Sequence, residues 1–258
     1  MLSRNFRLQN VGDIKWLIKN YDFSKISYSI DELIILDVTR TEKNIDVFSQ
    51  VLSQLTEGCF VPISAGGGIN DIKSARKLLR AGADKIVINS VLFESEEFVD
   101  ELASEFGNQC VVASVDVKKS PDGDFKVYSQ NGMKSQDYEA EGLISRICNY
   151  SVGEIYLNSM DRDGTGQGFE LEILDLLPNE FNKPVILAGG AGNSSHLLEA
   201  LQDPRVDAVA TANLYNFVGN GLKDARKSLV SSGIVLPMWD IEMLAKNLSN
   251  DEKTIGKW

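Results

Sequence analysis

Ser64-Ala-Gly-Gly-Gly-Ile-Asn70 is followed by Ala83-Asp-Lys-Ile-Val-Ile-Asn89, and far downstream Leu187-Ala-Gly-Gly-Ala-Gly-Asn193 is followed by Val206-Asp-Ala-Val-Ala-Thr-Ala212. Gly66 and Gly189, Asn70 and Asn193, and Asp84 and Asp207 all recur at an offset of 123 residues. Earlier segments repeat as well: Asp31-Glu-Leu-Ile-Ile-Leu-Asp-Val-Thr-Arg40 matches Gly153-Glu-Ile-Tyr-Leu-Asn-Ser-Met-Asp-Arg162 at an offset of 122. A chain that repeats once at such a period is two tandem halves. With about four strand–helix units in each half, two fours close into an eight-stranded α/β barrel.

The rest of the chain agrees with that reading. Short, nearly continuous apolar runs occur at Leu33–Val38, Phe60–Ser64, Lys85–Asn89, Val111–Asp116, Glu154–Asn158, Pro184–Ala188 and Asp207–Thr211. Such runs suit parallel strands covered on both faces. Amphipathic segments at Ile72–Arg80, Glu96–Phe106, Tyr138–Tyr150 and Ser194–Leu201 lie between them and read as helices. The repeat also predicts an absence. The strand at Val112–Asp116 opens the second half, and its first-half partner would fall about ten residues before Met1. The expectation is therefore a (β/α)8 TIM barrel with a two-fold half-barrel repeat that lacks strand 1, leaving a gap between the strands at Leu33 and Asp207. One domain is expected over residues 1–258, with halves at about 1–109 and 110–238 and a C-terminal tail at 239–258.

Composition narrows the function. At 258 residues, 43% hydrophobic and 24% charged, the chain is long enough to bury a full core. No apolar run reaches the ~20 residues needed to span a bilayer, and no export signal opens the chain. A net charge of −11 argues against a nucleic-acid surface, which demands clustered Lys and Arg. Cys59, Cys110 and Cys148 sit in or beside apolar runs, as buried thiols do, and a reducing cytoplasm is the natural compartment. No Cys/His cluster suggests a metal, and no cofactor is expected.

In barrels of this kind the reactive groups gather at the C-terminal ends of the strands. Those positions are Asp37, Gly66-Gly67-Gly68, Asn89-Ser90, Asp116, Asn158, Asp161-Arg-Asp-Gly-Thr165, Gly189-Gly190 and Ala212-Asn213. Glycines at strand ends either turn the chain or let the backbone approach an anion. Two such pairs in repeat-related positions favour phosphate binding, and a ligand with a phosphate at each end. Asp116 closes an apolar strand, where desolvation raises a carboxyl pKa toward values useful for acid–base work. Asp163 is either a turn former or a ligand contact, with Gly164 beside it. His196, the lone histidine, reads as a first-turn helix residue. At the opposite strand ends stand Glu32, Lys85 and Glu154, either an ordinary solvated rim or a charged cluster in which Lys85 bridges the two glutamates.

These motifs, in this order, resemble the cyclase subunit of imidazole glycerol phosphate synthase. The matching stretches are Asp31–Asp37, Gly66–Ile69, Gly82–Asn89, Val112–Lys118, Ser159–Thr165 and Gly189–Gly192, within a similarity running from about Asn5 to Phe217. The resemblance implies a heterodimer with a glutaminase subunit that supplies ammonia. It also implies a reaction in which a bis-phosphate ribonucleotide is cleaved, an imidazole ring closes and an aminoimidazole carboxamide ribotide is released. Asp116 would be one of two acid–base aspartates; Gly67, Gly68, Asn89 and Ser90 would hold one phosphate, and Gly189, Gly190, Ala212 and Asn213 the other. Asp37, Asn158, Asp163 and Gly164 would line the substrate, and Glu32, Lys85 and Glu154 would form an ammonia gate facing the glutaminase. The family's second aspartate and a gate arginine belong to the first strand, and Asn158 and Asn213 replace small hydroxyl residues. A divergent branch, associated with amidation of surface-polysaccharide sugars, also looks similar. A non-catalytic scaffold subunit is the third reading.

Overall fold

A computed structural model describes residues 2–9, 13–21, 23–212 and 220–237. The C-terminal tail at 239–258 lies outside the described residues. Seven parallel strands carry the architecture: β3 (Leu33–Leu36), β4 (Ile63–Gly66), β5 (Lys85–Ile88), β6 (Val111–Lys119), β9 (Glu154–Ser159), β10 (Val185–Ala188) and β11 (Ala208–Ala210). They pair in the order β11-β10-β9-β6-β5-β4-β3. An N-terminal hairpin of β1 (Leu2–Arg4) and β2 (Arg7–Gln9) forms a separate two-stranded sheet. β7 (Phe125–Ser129) and β8 (Lys134–Glu139) extend β6 as an antiparallel hairpin beyond the parallel sheet. Strands and helices alternate along the chain, and the protein has a TIM-barrel-type α/β fold.

The helices begin where the sequence offers caps. Asn44 caps α3 (Ile45–Thr56), Asp71 caps α4 (Ile72–Arg80), Ser95 caps α6 (Glu96–Phe106) and Asn193 caps α8 (Ser194–Leu201), each side chain accepting first-turn N–H groups. Two shorter helices, α1 (Ile14–Asn20) and α2 (Phe23–Ile26), precede α3, and α5 (Val91–Glu94) precedes α6. The helix expected over Tyr138–Tyr150 is shorter, α7 (Ala140–Ile147), because residues 134–139 pair with β7 instead. The last described helix is α9 (Gly221–Ser231).

Strand periodicity divides each strand into two rows. Ile63, Ala65, Ile86, Ile88, Val111, Ala113, Val115, Ile155, Leu157, Val185 and Leu187 join the main apolar cluster with Leu52, Leu78, Leu102 and Leu143 of the helices. The alternate row, including Ser64, Lys85, Ser114, Asp116, Glu154, Tyr156 and Asn158, lies outside that cluster.

The structure corrects the register of the repeat. β3 pairs Leu36 with Gly66, and β9 pairs Asn158 with Ala188, so the strand ends correspond at 122 residues. The helix caps Asp71 and Asn193 also correspond at 122. Gly67 therefore matches Gly189 and Gly68 matches Gly190, one residue away from the simple glycine-to-glycine match. The offset becomes 123 only after the caps. Asp84 then accepts the Ile63 N–H at 2.8 Å and Asp207 accepts the Val185 N–H at 2.9 Å, the same contact in each half.

Among the described residues β3 and β11 are edges that do not pair with each other. β4 is buried along its whole length whereas β3 and β11 are half-buried, and Leu36 is 38% exposed. The helical layer is bridged at this point. α9 packs on α8 and on the 3-10 turn Ser27–Ser29, and buried Arg226 forks onto Asp31 at 2.9 and 2.7 Å while also donating to the Pro237 carbonyl. Removing one partner strands a buried guanidinium. Asp31→Ala is expected to cost about 1–3 kcal/mol in urea unfolding, whereas Arg205→Ala, which breaks exposed pairs with Asp175 and Asp203, should cost under about 1 kcal/mol. Equal losses would show that the clamp contributes no more than a surface ion pair.

Candidate active site

Asp116 sits where β6 leaves the parallel sheet to become an arm of the antiparallel hairpin. It pairs in register with Asn158 of β9 on one side and Tyr128 of β7 on the other. Its side chain is buried and receives two amides, Asn158 Nδ2 at 3.0 Å and Asn89 Nδ2 at 3.3 Å. The amides favour the carboxylate, but burial weighs more, and with the nearby Asp163 charge it pushes the Asp116 pKa up to about 7. The group can therefore take and release a proton near neutrality.

Strand ends on both sides of Asp116 present backbone donors. The N–H groups of Gly67 and Gly68 after β4, of Asn89 and Ser90 after β5, and of Gly189 and Gly190 after β10 have no hydrogen-bond acceptor among the described residues. Unpartnered N–H groups at strand ends are donors of the kind that an anion can accept from. Asn89 contributes differently from expectation: its amide turns to Asp116 and the Ser114 carbonyl, so only its backbone faces outward as a free donor. The glycines also have a packing reason. A Cβ on Gly67, at φ +115°, would overlap the Asp37 backbone, and one on Gly190, at φ +113°, would overlap the Gly168 carbonyl. A side chain at 190 therefore meets protein backbone before it could meet a ligand.

Of the remaining candidates, Asp37 is half-buried and accepts the Thr39 N–H at 2.9 Å. The Asp163 carboxylate accepts the Phe6 N–H at 3.2 Å and its carbonyl accepts the Asn5 N–H at 2.7 Å. Gly164 stands in that same turn with φ +68°. Ala212 follows β11 and is exposed, and Asn213 lies outside the described residues. His196 occupies the first turn of α8, its Nδ1 taking the Gly192 N–H at 3.2 Å. No group of three or more metal-capable side chains gathers among the described residues.

Several participants were not legible beforehand. Lys43 folds over Gly68 and donates to the Asp37 carbonyl at 2.8 Å. The N-terminal hairpin turn, with Asn5 and Phe6 both at positive φ, reaches across the chain to the Asp161 carbonyl through Asn5 Nδ2, and Arg40 reaches the Phe6 carbonyl. Asn131, in the β7–β8 turn, donates to the Thr39 carbonyl at 3.0 Å. The left-handed Asn5 and the Gln130-Asn131-Gly132 turn were the available signals; the partners lie more than 90 residues away.

At the opposite end of the strands, Lys85 Nζ lies 2.7 Å from Glu32 and 2.6 Å from Glu154. Burial works to lower the Lys85 pKa, but the two glutamates outweigh it and leave it raised. Ser64 donates to Glu32 as well. Glu154 Oε2 is buried with no partner among the described residues, so one positive charge faces two negative ones. Lys85, Val87 and Asn89 form one row, and Glu154, Tyr156 and Asn158 another, so this cluster and the amides on Asp116 stand on the same faces of their strands.

The sequence pattern of the histidine biosynthesis protein family matches residues 7–218. A protein of Parasynechococcus marenigrum (strain WH8102) named "Putative imidazole glycerol phosphate synthase subunit hisF2" is 44% identical over 241 residues, covering 93% of this chain and 89% of that one. The chain belongs to the histidine biosynthesis protein family.

Asp116 yields a stability test with a defined sign. Its folded-state pKa of about 7 is above the ordinary 3.8, so the neutral acid is the form the fold favours. Stability from this group is complete below about pH 4 and declines as pH rises through 7. Asp116→Asn is neutral throughout. It should raise the melting temperature at pH 8 relative to the parent, with the gain shrinking toward pH 5; a gain independent of pH would mean that Asp116 titrates normally.

Proposed function

We propose that the chain is the cyclase-type subunit of an imidazole glycerol phosphate synthase. It would use ammonia from a glutaminase partner to convert a bis-phosphate ribonucleotide to imidazole glycerol phosphate and aminoimidazole carboxamide ribotide. The observation that carries this reading is the buried acid Asp116, with a pKa near 7, set between strand ends whose N–H groups have no acceptor among the described residues. Residues 1–258 act as one domain in this reading, in a reducing cytoplasm and without a cofactor. Nucleic acid and membrane are not partners.

The chemistry fits those groups. Ammonia adding to a carbonyl must lose a proton, and the former carbonyl oxygen must leave as water. The Asp116 carboxylate takes the proton from nitrogen, and the resulting carboxyl returns it to the departing hydroxyl. Asn89 and Asn158 hold the carboxyl in place through both exchanges. Phosphate groups rest on Gly67, Gly68 and Ser90 in one half and on Gly189, Gly190, Ala212 and Asn213 in the other, with Asp37, Asp163 and Gly164 along the length between them. Fixing both ends orders the ring-closing atoms, an entropic gain that ordinary binding would not give. Glu32, Lys85 and Glu154 form the gate at the other end, on the face that receives the glutaminase.

A second reading is the divergent branch that supplies ammonia for sugar amidation. It is favoured by one observation: the side chains bonded to Asp116 are amides, not a second carboxylate. Incubating the protein with ammonium salt and the bis-phosphate ribonucleotide separates the two. Formation of imidazole glycerol phosphate supports the first reading, and its absence with a competent glutaminase present sinks it.

Two variants sharpen the assignment. Asp116→Asn should lower ammonium-dependent turnover by about 10²–10⁴ while substrate affinity stays within about threefold; unchanged turnover would make Asp116 structural. Lys85→Ala should lose glutamine-dependent turnover with the partner present and retain ammonium-dependent turnover. Parallel loss of both, or of neither, removes the gate.

A further inference from the structure

Lys43 is a half-buried cation beside the first-half glycine turn that the reading above leaves unused. It stands in the segment between β3 and α3, just before the cap Asn44. Its stem lies over Gly68, with Cδ 2.9 Å from where a Cβ on that glycine would stand. Its ammonium makes one hydrogen bond, to the Asp37 carbonyl, and no ion pair among the described residues. Burial lowers its pKa below that of an ordinary lysine, and the charge of Asp37 offsets this only in part. An ammonium has three N–H donors. Two of these have no partner beside the free N–H groups of Gly67, Gly68, Asn89 and Ser90.

Among the described residues the second half has no lysine at the equivalent position. At the structural offset of 122, Lys43 corresponds to Thr165, whose hydroxyl is spent on the Arg162 carbonyl at 2.7 Å. Gly68 corresponds to Gly190, and the space that Lys43 fills beside Gly68 is occupied beside Gly190 by the Gly168 backbone. Arg162 does lie beside Gly190, its Cβ 3.1 Å from where a Cβ on that glycine would stand, but its Nε is already held by Glu170 at 3.0 Å. The repeat is thus two-fold in backbone and one-sided in charge.

We infer that Lys43 is a substrate-anchoring residue, pairing with a phosphate monoester seated on the first-half turn, and that this half holds the more tightly bound phosphate. The inference rests on the phosphorylated-substrate reading and deepens it. A partly desolvated ammonium attracts a dianion more strongly than one in bulk water. Several donors converging from two strand ends suit the tetrahedral oxygens of phosphate better than the two oxygens of a carboxylate. Moving Nζ from the Asp37 carbonyl to a phosphate oxygen needs only a rotation of the lysine end.

The test is calorimetric titration of the full chain with ribose 5-phosphate, inorganic phosphate and ribose. Lys43→Ala and Lys43→Met, the second keeping an apolar stem over Gly68, should each weaken ribose 5-phosphate binding by about ten- to a hundredfold. Lys43→Arg should recover part of the loss, and Arg162→Ala should stay within about threefold of the parent. Parent affinity should also fall more steeply with added salt than that of Lys43→Met. Parent-like affinity in both neutral variants, with ribose 5-phosphate still preferred over ribose, overturns the anchor and leaves the phosphate reading standing. No preference for ribose 5-phosphate over ribose in the parent refutes the phosphate reading itself. An Arg162→Ala loss equal to that of Lys43→Met removes the asymmetry. Inorganic phosphate binding as tightly as ribose 5-phosphate, with the same dependence on Lys43, makes the site a free-anion site and ends the anchoring role.

Discussion

The register between β6 and β9 is the constraint on which the site depends. It sets Asp116 opposite Asn158, so that an amide meets the carboxyl at 3.0 Å. A slip of one residue would turn Asp116 to the other face of the sheet, into the place of Val115 beside Leu157 and the helices. That slip is resisted from both sides of the strand: Val111, Ala113 and Val115 are fully buried in the apolar cluster, and their alternate neighbours cannot replace them without burying Ser114 there. The same packing that fixes the acid also desolvates it. Stability of the sheet and the raised Asp116 pKa therefore have a common cause.

The two ends of the strands carry opposite electrostatics from one backbone polarity. At the C-terminal ends, backbone N–H groups and the Lys43 ammonium keep donors without an acceptor among the described residues. At the N-terminal ends, Glu32, Lys85 and Glu154 leave an excess of negative charge, with Glu154 Oε2 buried and lacking a partner among the described residues. Because strand residues alternate, the groups at each end share faces with those at the other: Lys85 with Asn89, and Glu154 with Asn158. The chain joins these ends through rows of side chains rather than through any sequence-local motif.

The halves are alike in their strands and caps and unlike in their loops. Asp84 and Asp207 tie their neighbouring strands in the same way, and Asp71 and Asn193 cap equivalent helices. Above the strand ends the symmetry fails. The loop at Gly164–Gly168 packs onto Gly190, whereas Lys43 covers Gly68. Duplication fixes a scaffold through its core, and loops are free to diverge because few buried contacts restrain them.

Much of the fold was legible from the chain itself. Apolar runs of β-branched residues marked all seven parallel strands, and amphipathic patterns marked α4, α6 and α8, because burial is a local demand written in local residue types. The antiparallel hairpin was missed at residues 134–139, where Lys-Ser-Gln-Asp-Tyr-Glu has no strand-like apolar pattern and pairs only with β7, itself laid against the extension of β6. Asp116 could be singled out as a carboxylate closing an apolar strand. That Asn89 would serve Asp116 with its amide, that Lys43 would lie over Gly68, and that the glycine turns correspond at 122 residues could not be read this way. Sequence determined the parallel strands, several of the helices between them, and which strand ends carry polar groups. Tertiary structure alone decided which of those groups meet, because pairing register and loop packing are set by contacts between residues far apart in the chain.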